Sequence, residues 1–209
     1  MKKIAKKSKK ALSVFLSVLL IMITMAPALA FADEKNYIIE NPYEEIDWEA
    51  WGEYKTQLHC HTNASDGFLT IDEFVRMHYA ADFDIVALTD HGCMYGIKEL
   101  LDSAKKTNKK LKEEAAKNGT DFVPFKPIVG VEAYCARRGR KDRDKDLKAI
   151  SPEGKQYIVD QSGWHLILLA KNKTGYHNLC KIVSESFMDD CYYRRPRIDK
   201  ALLEEFHEG

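Results

Sequence analysis

Residues 57–67 read QLHCHTNASDG, two imidazoles flanking one cysteine, with a carboxylate five residues beyond the second. In an extended strand, side chains two apart share a face, so His59 and His61 point the same way and Cys60 the opposite way. Two neutral ring nitrogens so placed can grip one cation. Two later stretches add groups of the same kind. TDHG supplies Asp90 and His91, and GVEAY supplies Glu132 in an otherwise apolar run. Each signal has an ordinary reading: incidental histidines, a turn with a capping aspartate, a strand carboxylate. Glu132 resists it most, because a buried carboxylate is costly unless paired or on a metal. A mixed His/Asp/Glu set suits Zn²⁺, Mn²⁺ or Fe²⁺ better than Mg²⁺ or Ca²⁺. Such a centre polarises an anionic oxygen and activates water near neutral pH, the chemistry of phosphate ester hydrolysis, with amide hydrolysis its rival. No Ser-His-Asp pattern or G-x-x-x-x-G-K-[ST] loop competes.

The groups must be positioned by elements, and the patterning gives an alternation. YKTQLHCHT alternates as a strand does. TIDEFVRMHYAADF is a helix with Thr70 as N-cap and Phe74, Met77 and Ala81 on one face. DIVALTD and PIVGVEAYC are apolar runs of the kind covered on both sides of a parallel sheet. A long helix between them ends at Asn118-Gly119. WHLILLAK is a further strand, TGYHNLCKIVSESF a helix capped by Thr174, and RIDKALLEEF starts a last helix. Strand, helix, strand, helix, strand predicts an α/β protein with a mainly parallel sheet. In such sheets functional groups gather at the C-terminal strand ends, where His59, His61, His91 and Glu132 fall. His165 opens its strand, and its plain reading is a half-buried histidine. The run 137–150 carries seven basic and three acidic residues and reads as a solvated loop that could draw an anion.

The formal net charge is zero, but residues 1–32 hold six lysines and no acid. Without them 26 basic face 32 acidic residues, a balance that excludes general nucleic-acid binding by bulk charge. That stretch has a basic start, the apolar run ALSVFLSVLLIMITM and small residues at Ala28, Ala30 and Ala32. It reads as an export signal cleaved after Ala32 or Ala30, with an uncleaved anchor as the alternative. The remainder is then secreted or extracytoplasmic. Residues 33–54 form an acidic, aromatic linker, packing through Trp48 and Trp51, and 55–209 a single domain. Five cysteines (60, 93, 135, 180, 191) show no close-spaced framework and read as small buried hydrophobes.

LHCHTNASDG, ALTDHG, GVEAY and WHLILLAKNKTGYHNLCKIVS, in that order, resemble the PHP (polymerase and histidinol phosphatase) family over Lys55 to Gly209. The tract from Trp164 through YYRRPRIDKALLEEFHEG looks most like the PHP module of bacterial DNA polymerase III alpha subunits of the PolC and DnaE types. The resemblance implies a distorted (β/α)7 barrel holding up to three divalent metals, Zn or Mn with Fe as a further option. It assigns His59 and His61 to a first metal, Glu132 to a bridge with a second, His165 to the second, and Asp66 and His91 to a third. The family's remaining three ligands, a Cys or His and then an Asp-x-His pair, fall beyond Gly209, so the expectation is a barrel incomplete at its C-terminus.

The reading that follows is an exported metal-dependent phosphoesterase, or the N-terminal part of one. Asp90 and His91 are its catalytic candidates, with Asp90 as the acid–base group. A phosphorylated small molecule or a nucleic-acid end is the expected substrate. Arg194, Arg195 and Arg197 in YYRRPRID serve either as a positioning turn around Pro196 or as a phosphate clamp, with Arg197 the candidate. The rival enzyme reading is a polymerase PHP module acting as a 3′–5′ exonuclease or as scaffold. An amidohydrolase-type barrel also begins with H-x-H, and a metal-binding or structural remnant is the non-enzyme reading.

Overall fold

The computed structural model describes residues 41, 43–44, 46–49, 52–161 and 163–209. The expected export signal, and most of the expected linker, lie outside the described residues. None of the described helices is long and apolar enough to cross a membrane. Residues 52–209 form one compact unit.

In chain order its elements are β1 (Thr56–Gln57), α1 (Ile71–Ala80), β2 (Ile85–Leu88), α2 (Ile97–Asn118), β3 (Lys126–Ala136), β4 (Lys148–Ile150) and β5 (Gln156–Ile158). β6 (Gly163–Leu169), α3 (Lys173–Ser186), β7 (Arg197–Ile198) and α4 (Lys200–Glu205) follow. The fold is mixed α/β, with a curled, open half-barrel sheet running β1-β2-β3-β6. β1, β2 and β3 are parallel. β7 pairs in parallel with the C-terminal end of β3, at Tyr134 and Cys135, on the side that β2 vacates.

β6 is antiparallel to β3, with Tyr134 opposite His165 and Glu132 opposite Ile167. The reversal explains how a histidine that starts a strand joins groups that end strands. The N-terminal end of an antiparallel neighbour lies beside the C-terminal end of β3.

Two apolar clusters flank the sheet. Ile71, Phe74 and Val75 of α1 meet Val86 and Leu88 of β2 and Ile97 and Leu100 of α2. Val131, Leu179, Ile182, Ile198 and Leu202 form the second. In α1 the buried face is 71, 74 and 75, whereas Met77 and Ala81 are exposed. The start of α1 follows the expectation, since Thr70 and Glu73 form a reciprocal capping box. α3 differs: its cap is Asn172, whose side chain accepts from the Gly175 amide, not Thr174. Asp199 caps α4 in the same way through the Leu202 amide.

β1 is shorter than the alternation predicts. Beyond Gln57 the chain leaves the ladder with β2. Thr89 then holds it: its amide donates to the Cys60 carbonyl at 2.9 Å, and its Oγ1 accepts from the Cys60 amide at 3.0 Å. This edge carries the two histidines.

Candidate metal centre

Glu132 is the hub. Its side chain is 5% exposed, and three ring nitrogens crowd its carboxylate. His61 Nε2 lies 2.6 Å and His59 Nε2 2.9 Å from Oε2, while His165 Nδ1 lies 2.7 Å from Oε1. His91 Nδ1 stands back at 3.4 Å from Oε2. Asp66 closes the other side, with Oδ1 at 2.8 Å from His61 Nδ1 and Oδ2 at 3.4 Å from His91 Nε2.

Each position has a local cause. Main-chain bonds carry the β2–β3 register past the end of β2: the Glu132 amide donates to the Asp90 carbonyl, and the Gly92 amide to the Glu132 carbonyl. His91 is thereby set opposite Glu132. Gly92 has φ +61°, and a Cβ there would stand 2.7 Å from Pro196 Cγ and 3.0 Å from the Tyr134 ring. Only glycine takes that backbone and lets the turn before β7 close on the site. Gly67 is as constrained, since a Cβ would meet the His61 carbonyl at 2.5 Å.

Asp90 sits behind the cluster at 1% exposure. Its Oδ1 accepts from the Thr62 amide at 2.7 Å and from Ser65 Oγ at 2.7 Å, and its Oδ2 from Thr62 Oγ1 at 2.8 Å. Three donors on a buried carboxylate leave it without access to substrate. The geometry gives Asp90 the positioning of the loop that carries Asp66, in place of the acid–base role expected from the sequence.

Cys60 points away from the cluster, as period two requires. Its Sγ lies 3.7 Å from His78 Nε2, and His78 Nδ1 donates to the Phe74 carbonyl. Burial pushes the Cys60 thiol up to about 11. All five cysteines are free.

The electrostatics are those of a carboxylate held ionised among imidazoles. Burial works to raise the Glu132 carboxyl, but hydrogen bonds from His59 and His165 and the charge of His91 outweigh it and hold it below the usual range. The His61 hydrogen bond chiefly lowers Asp66. Burial lowers His91 despite the nearby carboxylates. His91 Nδ1 is a buried ring nitrogen without a hydrogen-bond partner.

That orphaned nitrogen tests whether the set fits a cation, and it fits. The donor atoms form three overlapping groups, His59/His61/Glu132, His61/Asp66/His91 and His91/Glu132/His165, each within 4.8 Å. Ligands about 2.1 Å from a tetrahedral metal stand roughly 3.4 Å apart, the scale of these separations. All six expected ligand positions are thus brought together.

Tyr134 was not foreseen. It lies two residues after Glu132 on the same face of β3, stacks on His91 with centroids 5.5 Å apart, and meets His165 edge-on at 5.1 Å. Period two along GVEAY was the signal that could have found it. Burial raises its phenol, and Arg195, over the ring at 4.8 Å, opposes that.

Arg197 is not at liberty as the expected clamp. It is 4% exposed, its Nε donates to the Cys191 carbonyl, and its Nη1 donates to the Asp142 and Asp160 carbonyls. Most of the basic loop is also spent internally. Arg138 pairs with Asp160, Arg140 with Asp199 and Lys141 with Asp190, and Arg143 donates to the Asp189 and Tyr192 carbonyls.

A family model for the PHP domain matches residues 57–209. The chain belongs to the PHP domain family. DNA polymerase III subunit alpha of Borreliella burgdorferi is 37% identical over 154 residues, covering 73% of this chain and 11% of the relative. The same subunit from Aquifex aeolicus is 35% identical over 73% of this chain and 11% of its own length. The chain spans about a tenth of the length of these relatives. Among solved structures, an amidohydrolase from Chromobacterium violaceum with bound sulfate and no metal is 21% identical, covers 63% of this chain and 34% of its own, and has a TM-score of 0.32.

Proposed function

We propose that this chain is a divalent-metal-dependent phosphoesterase of the PHP family, exported from the cell that makes it. One observation carries the reading: four histidines from separate segments converge on the nearly buried Glu132 carboxylate, Asp66 closes on two of them, and a buried histidine nitrogen among them has no hydrogen-bond partner. Zn²⁺ or Mn²⁺, with Fe²⁺ as a further option, would be held by His59, His61, Asp66, His91, Glu132 and His165. When bound, the metal supplies Lewis-acid charge for a phosphoryl oxygen and lowers the pKa of water.

The chain's own residues do the rest. Asp66, His59 and His165 are the open ligands, with side chains 63%, 51% and 44% exposed, against 19% for His61 and 17% for His91. Substrate therefore enters over the open three, while His61 and His91 set the inner wall. Asp90 fixes the loop through Thr62 and Ser65 and keeps Asp66 facing His61 and His91. Tyr134 packs the rings of His91 and His165 in place.

The test is hydrolysis of p-nitrophenyl phosphate by the metal-loaded full chain. Loss of turnover in His59→Ala supports the reading, and equal turnover sinks it. Export is tested by sequencing the N-terminus of the mature protein, which should begin after Ala32 or Ala30. A second reading is favoured by the relatives, which are DNA polymerase III alpha subunits. In that reading the ester is the 3′ end of a DNA strand. Shortening of a 3′-ended oligonucleotide, with no turnover of small phosphate esters, would decide for it.

A further inference from the structure

A small pocket opens beside the cluster, between the C-terminal end of β3, the start of β6 and the turn into β7. It is lined by Tyr134, Gln161, His165, Tyr193, Arg195 and Arg197, and no carboxylate lines it. Its interior of about 20 Å³ admits one oxygen-sized group. Two arginines without an acid are unusual here, since most basic groups of the neighbouring loop are paired or donate to carbonyls.

The two differ in what they have left to give. Arg197 is 96% removed from solvent, and its Nη2 has no partner although Nε and Nη1 are both used. Arg195 is exposed and makes no ion pair or side-chain hydrogen bond among the described residues. It lies over the Tyr134 ring at 4.8 Å. A guanidinium stacked on an aromatic face keeps its in-plane N–H groups free, and that fork matches two oxygens of a phosphate.

The backbone is bent to achieve this placement. Arg194 has φ +63°, a left-handed conformation costly for a side chain with a Cβ, and Tyr193 bridges Arg195 across the turn. His165, a predicted ligand and an open member of the cluster, lines the same pocket.

We propose that Arg195 is the phosphoryl-binding residue of this chain. It holds a non-bridging pair of phosphoryl oxygens at the pocket mouth. The ligand class is a phosphate monoester or free inorganic phosphate, seated with its phosphorus toward His165. This deepens the phosphoesterase reading and rests on it for the identity of the reaction, but the binding step can be measured without turnover.

The experiment is calorimetric titration of inorganic phosphate into the metal-loaded full chain, comparing unmutated protein, Arg195→Gln, Arg195→Lys and Arg194→Gln. Metal content is measured on each sample. Arg194→Gln removes the same charge one residue away, outside the pocket. Losing a charge-assisted bidentate contact should weaken phosphate at least about tenfold in Arg195→Gln, partly restored in Arg195→Lys, with metal content unchanged. Arg194→Gln should stay within about twofold, as a change in an exposed charge does. Unchanged affinity in Arg195→Gln overturns the proposal. So does equal weakening in Arg194→Gln, or no phosphate binding by the unmutated protein. Loss of phosphate binding in Arg195→Gln from a chain that turns over no ester would leave the subsite standing and remove the phosphoesterase reading. Ester turnover with the same KM in Arg195→Gln would do the reverse.

Discussion

Glu132 and Asp90 are both buried carboxylates at strand ends, and the groups around them set opposite tasks. Glu132 faces ring nitrogens whose lone pairs can be turned to a cation. Asp90 faces two hydroxyls and an amide, all three of which donate to it. Asp90→Asn keeps the shape but removes the charge that strengthens three buried hydrogen bonds, a loss of about 1–3 kcal/mol. The predicted outcome is a lower unfolding midpoint in denaturant together with weaker metal binding, read by titration, because the Asp66 loop is no longer held. A variant that loses turnover while keeping stability and metal affinity would return Asp90 to acid–base work. His59, His61, His91 and Glu132 were legible because strand ends and period two place them without knowledge of the fold. The task of Asp90 was not legible, since TDHG does not reveal that Thr62 and Ser65, 28 and 25 residues earlier, bond to it. Arg195 and Arg197 were inseparable for the same reason: two of the carbonyls that occupy Arg197, those of Asp142 and Asp160, lie 55 and 37 residues earlier.

At the scale of elements, the turns do more positioning than the strands. Gly92 lets Pro196 and Tyr134 close over His91. Gly92→Ala adds a left-handed residue with a Cβ and a clash, and should cost at least about 2 kcal/mol. The check is chemical denaturation, with metal affinity falling in step. The segment 137–161 is governed by Asp160, which is 3% exposed. It accepts from Arg138 Nε at 2.8 Å and from the Asp144 amide at 2.7 Å. The Arg138 hydrogen bonds are the main reason its carboxyl lies below the usual range. A depressed carboxyl adds stability that is present above its unfolded pKa, about 3.9, and is lost as pH falls through the folded value. Acid unfolding followed by circular dichroism should therefore start at lower pH with Asp160 intact than in Asp160→Asn, which gives up about 2 kcal/mol at neutral pH, and the stability gap between the two should close as pH falls below about 3.9. The run 137–150 was read from sequence as a solvated loop. Its partners, Asp160, Asp189, Asp190 and Asp199, lie far along the chain, and so does Tyr157, over whose ring Arg137 rests. The hairpin of β4 and β5 escaped because three-residue strands carry too little alternation to read.

For the whole molecule, the α/β class and the order of elements followed from apolar runs alternating with helical periods. The direction of β6 did not, because WHLILLAK is apolar enough to sit in either sense, and only its pairing with β3 decides it. That antiparallel strand completes the circle of groups around Glu132, so cluster and fold should be energetically linked. A cation held at about a hundred times its dissociation constant adds roughly 2.7 kcal/mol, or an upward shift of about 5–10 °C in Tm for a chain of this size. Differential scanning calorimetry with and without Mn²⁺ or Zn²⁺ reads this shift, and His61→Ala should abolish it. The measurement that bears most directly on the central claim is elemental analysis of the purified full chain after metal loading and dialysis, beside Glu132→Gln. Tightly held divalent metal is expected in the unmutated protein, and its loss in the variant. Equal metal in both, or none in either, would contradict it.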